Sequence, residues 1–230
     1  MDFVFSGVHE AFHLIINGDR EVLSVTFLSL FIAVVSTVVA AIVSIPAGYY
    51  LATKKFFGRD LVRYIVDTLM ALPTVLVGLI CYAFISHKGP LGALELLFTP
   101  WGIILGDIIL VVPMIISLTA ATIGAVNPLA VETAVSLGAT GSRTVLTILR
   151  EATPGLAAAV VASFGRVISE VGAAMMLGGN IRGQTRTLTT AIALETGKGE
   201  FTTAVALGII LLASALLINI VLHRLKRKGM

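Results

Sequence analysis

Long apolar runs separated by short clusters of charge set the pattern of this chain. From Val22 to Ala52 no residue is charged. That length exceeds the roughly 20 residues that cross a hydrocarbon core. A tilted or extended first span is therefore expected over 22–52, kinked near its end by Pro46. Four further apolar runs predict spans over about 64–86, 101–126, 155–177 and 201–222. Leu72-Pro73-Thr74 interrupts the second, Pro113 lies within the third, and Trp101 opens the third where an interfacial aromatic anchor belongs. The expected fold class is an all-α membrane protein of five transmembrane helices. Ahead of them, Val4, Phe5, Val8, Phe12 and Ile16 suit a short amphipathic helix on the bilayer surface, ended by Asn17-Gly18-Asp19.

Between spans three and four the pattern changes. Asn127-Pro128 stops the third helix, and 131–154 is a more polar insert whose apolar positions Val131, Ala134, Val135, Val145, Ile148 and Leu149 recur at helical spacing. Two short helices joined near Gly138 to Ser142 are predicted. Such an insert either lies on the lipid headgroups or contacts a partner.

Composition makes the class firm. The chain is 57% hydrophobic and 13% charged, far below the roughly one quarter charged residues of soluble domains. The net charge of +3 is spread in clusters beside apolar runs, which orient a chain in a membrane and do not form a nucleic-acid surface. Lys54, Lys55, Arg59 and Arg63 follow the first span, Arg143 and Arg150 lie in the insert, and Arg224, Lys226, Arg227 and Lys228 form the tail. The opposite side has Arg20, Lys88, Arg182, Arg186 and Lys198. This asymmetry predicts an outer N-terminus, a cytoplasmic C-terminus and a cytoplasmic insert over 127–154. The expected organisation is an outer interfacial segment 1–21, one transmembrane domain 22–222, and a basic cytoplasmic tail 223–230. The N-terminal stretch lacks a basic leader and carries Asp2, Glu10, Asp19 and Glu21, which does not fit a cleaved secretory signal.

A few polar residues could carry chemistry. Small residues repeat at intervals of four in the fourth span (Gly155, Ala159, Ser163 and Gly165, Ser169, Ala173), a pattern that lets helix backbones approach. Arg166 and Glu170 are four apart near its centre and can pair with each other or with other groups in the bundle. Asp67 and Asp107 lie toward span ends, as hydrated packing residues or as steps of an ion path. His9 and His13 share a helix face without the further ligands a metal site requires, and Cys81, the one cysteine, reads as a packing residue. No Gly-x4-Gly-Lys-Ser/Thr phosphate loop occurs, so any nucleotide is expected on a partner.

Glu132-Thr133-Ala134, three residues, Gly138, nine residues and Ile148 resemble the cytoplasmic EAA motif of ABC importer permeases. The spacing from Glu to Gly to Ile is kept. Thr133 departs from the pattern, as does Arg150-Glu151 where the motif closes on Leu-Pro, the proline coming later as Pro154. The resemblance implies coupling helices that dock on an ATP-binding subunit, with Glu132, Thr133, Ala134, Gly138 and Ile148 as the coupling residues. It also implies two ATP-binding cassette subunits carrying ATP and Mg, no cofactor on this chain, an extracytoplasmic binding protein, and a multi-pass place in the cell (inner or cytoplasmic) membrane. Five helices are too few to enclose a gated path alone, so a homodimer is expected.

The segments 71–79 (ALPTVLVGL) and 169–174 (SEVGAA) look like the molybdate/tungstate and related oxyanion permeases, and 178–200 resembles the tungstate branch. The implied function is the permease subunit of an ATP-driven oxyanion importer, tungstate first and molybdate as the alternative. The chain itself is then not an enzyme. Arg166 and Glu170 are candidates for the pathway or its gate, and Arg182, Arg186 and Lys198 for an outer anion-receiving or docking face, against a merely solvated loop. A reading from another class is an ion-gradient-driven transporter or channel built on Asp67, Asp107, Arg166 and Glu170. A membrane enzyme would need a convergent nucleophile, metal cluster or acid–base pair, and the sequence offers only Arg166 with Glu170.

Overall fold

A computed structural model describes residues 2–228, with side chains for all of these except 2, 3, 15 and 221–228. Ten α-helices and one 3-10 turn, with no strand among the described residues, make up the chain. Helix α1 (Asp2–Ile16) packs along α10 (Phe201–Lys228). Helix α2 (Arg20–Thr53) starts two residues before the uncharged run, because Asp19 caps it by accepting from the Glu21 and Val22 amides at 2.9 and 3.0 Å. At 1.5 Å per residue it is about 51 Å long, and Pro46 lies inside it.

The second expected span is broken. Helix α3 (Arg59–Leu69) and α4 (Thr74–Ile85) meet at 101°. Pro73 provides no amide to continue α3 and disfavours helical backbone at Leu72, so the chain restarts with Pro73 as the cap of α4. The basic loop is also shorter than expected. Arg59 opens α3 and turns back to donate to the Leu51 and Ala52 carbonyls at 2.9 Å each, closing the end of α2.

Helix α5 (Pro100–Gly124) is the hub, touching α2, α3, α4, α7 and α8. Its Val111 and Ile115 meet Ala33 and Ala40 of α2 and Phe164, Val167 and Ile168 of α7 in the main core. On another face Leu110 packs with Val77, Cys81, Ala173 and Leu177. The contact with α2 is close: a Cβ on Gly48 would lie 2.7 Å from the Ile116 carbonyl oxygen and 2.6 Å from Thr119 Cβ.

The insert becomes helix α6 (Pro128–Ser136), a turn, and α7 (Gly141–Ile168). Only the first of the two predicted short helices is short. The second runs through Pro154 into the fourth span as one helix, since a proline inside a helix bends it and need not end it. The fourth span then stops early. Residues 169–171 break it before α8 (Gly172–Gly178), so the row Gly165, Ser169, Ala173 is not one helical stripe. The row Gly155, Ala159, Ser163 is, with Thr122 of α5 lodged against Gly155.

The segment 181–200 is more than a solvated loop. It contains α9 (Leu188–Lys198), whose first turn is buried against α2 and α10 through Leu188 and Ala191. By length and composition α2, α5, α7 and α10 can each cross a membrane, and the bent pair α3–α4 makes a fifth candidate.

Candidate functional site

The α6–α7 projection is built by its caps. Asn127 accepts from the Leu129 amide at 3.0 Å and Pro128 takes the first helical position, where its missing amide costs nothing. At the other end the Ala139 amide donates to Ala134 O and the Gly138 amide to Val135 O, both at 2.9 Å. These two bonds form a Schellman cap, which needs a left-handed residue at Gly138, and φ there is +86°. The motif glycine is therefore the stop signal of α6.

No residue of α6 is buried. Glu132, Thr133, Val135, Ser136 and Gly138 are exposed, Leu137 is 84% exposed, and Ala134 and Ile148 are half-buried. Thr133 and Ser136 donate back to Leu129 O and Glu132 O, so both hydroxyls are satisfied within α6. Leu129, Val135, Leu137 and Leu146 remain as uncovered apolar contacts around the turn.

The two central charges do not pair. Arg166, in the last turn of α7, is exposed and has no ion pair among the described residues. Glu170 is 7% exposed in the break after α7. Its carboxylate accepts from the Ala173 amide at 2.9 Å, at the start of α8, while its carbonyl accepts the Thr189 hydroxyl at 2.7 Å. The predicted i, i+4 geometry is lost because the helix ends between the two residues.

Asp107 is not at a hydrated interface: it is 2% exposed, and its Oδ1 has no partner among the described residues. With Glu170, Ser29, Thr187 and Thr189 it lines a cavity of about 10 Å³, close to the space of one water. Asp67 accepts from Ser117 at 2.5 Å, tying α3 to α5.

Arg182 and Arg186 are tied down by Glu21, which the sequence did not mark as their partner. Arg182 forms a two-pronged pair with it, and Arg186 reaches it at 3.3 Å. Glu21, first as hydrogen-bond acceptor and then as a nearby charge, holds the Arg182 guanidinium above its ordinary value, firmly protonated. Lys198 pairs with Glu195 at 2.8 Å. The three cations therefore do not form a free positive face. The loop beneath them is pinned by Thr185, which donates to Gly178 O at 2.5 Å and accepts from the Ile181 amide at 3.0 Å. The only signal for Glu21 in the sequence was an acid in the first turn of a helix.

The profile of the family described as binding-protein-dependent transport system inner membrane component matches residues 44–228. A tungstate uptake system permease protein TupB of Campylobacter jejuni subsp. jejuni is 40% identical over 227 residues, covering 99% of this chain and 95% of the relative. A protein of the same name from Peptoclostridium acidaminophilum is 36% identical, covering 99% and 100%. A probable anion ABC transporter permease protein of Haloferax volcanii is 38% identical, covering 85% and 87%. Among solved structures, a bacterial ABC transporter that imports the acidic polysaccharide alginate has a chain superposing with TM-score 0.69 at 20% identity, over 90% of this chain and 79% of that one. That last likeness speaks for the fold alone. On the family match and these relatives, the chain belongs to the binding-protein-dependent transport system inner membrane components, the multi-pass permease subunits of ABC importers.

Proposed function

We propose that this chain is the permease subunit of an ATP-driven importer of a tetrahedral oxyanion, tungstate first. The observation that carries the substrate is the 36% and 40% identity, over 99% of the chain, to permeases named for tungstate uptake. In this reading the N-terminus is outside and the C-terminus cytoplasmic, as the clustering of Lys and Arg supports. Two copies enclose the path, a loaded binding protein docks outside, and two ATP-binding subunits carry ATP and Mg inside.

Glu132, Thr133, Ala134, Gly138 and Ile148 form the coupling site. The exposed α6 with its capped end is a rigid knob, and Leu129, Val135 and Leu137 are apolar anchors for a partner cleft. ATP-driven closure of the motor subunits moves the knob, and continuity of α7 from Gly141 to Ile168 passes that movement into the membrane without a hinge at Pro154. Arg166 and Glu170 belong to the pathway region, one at its surface and one in its scaffold.

A bulky replacement at Gly138 tests the coupling. A Cβ there meets nothing within 4 Å, so Gly138→Trp acts through the left-handed backbone and through the docking partner and not through the bundle. The reconstituted complex should lose nearly all ATP hydrolysis stimulated by loaded binding protein, while the purified permease still folds, destabilised by no more than the about 1–2 kcal/mol that a left-handed L residue costs. Stimulated hydrolysis at the unsubstituted rate would remove Gly138 from the coupling site. Calorimetry on the companion binding protein separates tungstate from molybdate, the tighter-held anion being the cargo.

A further inference from the structure

Side chains that face hydrocarbon are large and apolar, and the exposed faces of α2 and α10 obey this with Phe27, Ile42 and Val43, and with Leu212, Leu216 and Leu217. Helix α7 does not. Its exposed stripe through the span reads Pro154, Ala158, Ala162 and Arg166. About 18 Å of helix separates Pro154 from Arg166 at 1.5 Å per residue, which is more than half of a hydrocarbon core of roughly 30 Å. A guanidinium facing lipid at that depth is strongly disfavoured, so protein or water must cover it.

The two carboxylates buried nearest this stripe in the chain do not offer Arg166 a counter-charge. The carboxylates deepest in the described bundle, Asp107 and Glu170, are 2% and 7% exposed and turn inward, Glu170 onto the Ala173 amide. Asp67 is held by Ser117, and Glu132 and Glu151 lie on the α6–α7 projection and its base. In a dimer that meets across this stripe, each copy brings its own exposed Arg166, while Asp107 and Glu170 of each stay turned inward. Two guanidiniums in a confined, water-filled path match a dianion in charge and offer forked donors to its oxygens.

We propose that Arg166 of each copy is the intramembrane contact for the oxyanion in transit, and that Glu170 is scaffold and touches no substrate. This rests on the dimeric importer of the preceding section. The test is the complete reconstituted transporter in vesicles, with tungstate uptake and ATP hydrolysis measured together for the unsubstituted protein, Arg166→Gln and Arg166→Lys. Loss of the charge-assisted contact in Arg166→Gln should raise the ATP consumed per anion delivered about tenfold, and Arg166→Lys should recover most of that ratio. Uptake and hydrolysis falling in constant proportion would make Arg166 a structural or gating residue and overturn the proposal. Dissociation of the Arg166→Gln dimer would overturn it too, by making the arginine a clasp between copies.

An activity-independent readout uses Ala162→Cys, one turn away on the same stripe, in permeabilised vesicles. A charged maleimide should modify it while the buried Cys81 stays unreacted, and a stripe that cannot be labelled in either the nucleotide-free or the ATP-trapped complex is not a water-filled wall. Failure of the unsubstituted complex to move any oxyanion would instead remove the importer reading itself.

Discussion

Glu170 acts twice where α7, α8 and α9 meet, once through its carboxylate at the start of α8 and once through its carbonyl on Thr189. Glu170→Ala leaves the Ala173 amide without its buried acceptor, which costs about 1–3 kcal/mol. The purified permease should melt at lower temperature, and Glu170→Gln should recover most of the loss because the amide oxygen can still accept. Neither bond was legible in the sequence. Spacing alone put Arg166 and Glu170 on one helical face, and the break at 169–171 that separates them has no proline or glycine to announce it. Asp107 shows the same limit: a carboxyl seven positions into an apolar run reads as interfacial, and only packing on the hub helix reveals it as buried. Gly138 was the readable case, since a glycine after a short amphipathic run is the usual mark of a left-handed helix stop.

Among elements, prolines divide by what surrounds them. Pro46, Pro113 and Pro154 sit inside continuous helices, whereas Pro73 opens a new one after a 101° bend. Of these, the sequence reads only Leu72-Pro73-Thr74 as an interruption within a span, and the chain does break there. At Pro73 the preceding turn has already tightened, with the Ala71 and Leu72 amides bonded to Thr68 and Leu69, so α3 is closing before the proline arrives. The apolar run lengths located the helices that cross, and the polar insert located α6, because both depend on local composition. The depth of α9 was not legible, because its buried threonines are satisfied by their own cap and by distant groups: Thr187 caps the helix through Thr190, and the Leu188 amide donates to Ser29 at 2.8 Å. The α2–α5 crossing gives the sharpest element-level prediction. Gly48→Leu drives a side chain against the Ile116 carbonyl and should destabilise the bundle by about 1–3 kcal/mol or more, seen as a lowered melting temperature, with Gly155→Ala milder because it meets only the side chain of Thr122.

At the scale of the whole molecule, the chain is a set of crossing helices with one exposed projection and an arginine-bearing stripe that lipid cannot cover. The proposed importer uses both features: a place to receive force from a motor and a face that lines its path. The ion-gradient alternative needs carboxylates that ions can reach, yet Asp107 and Glu170 are buried and Asp67 is engaged with Ser117. Helix α6 and its glycine stop were legible because their spacing is a property of a few contiguous residues. The choice among oxyanions was not, since dianions of equal charge and similar size leave no distinct mark on a path. The most direct test is tungstate uptake by vesicles holding this permease, its ATP-binding subunits and a loaded binding protein. The account predicts uptake that requires ATP on the cytoplasmic side and persists with an uncoupler present; uptake that proceeds without the ATP-binding subunits and collapses with the uncoupler would contradict it.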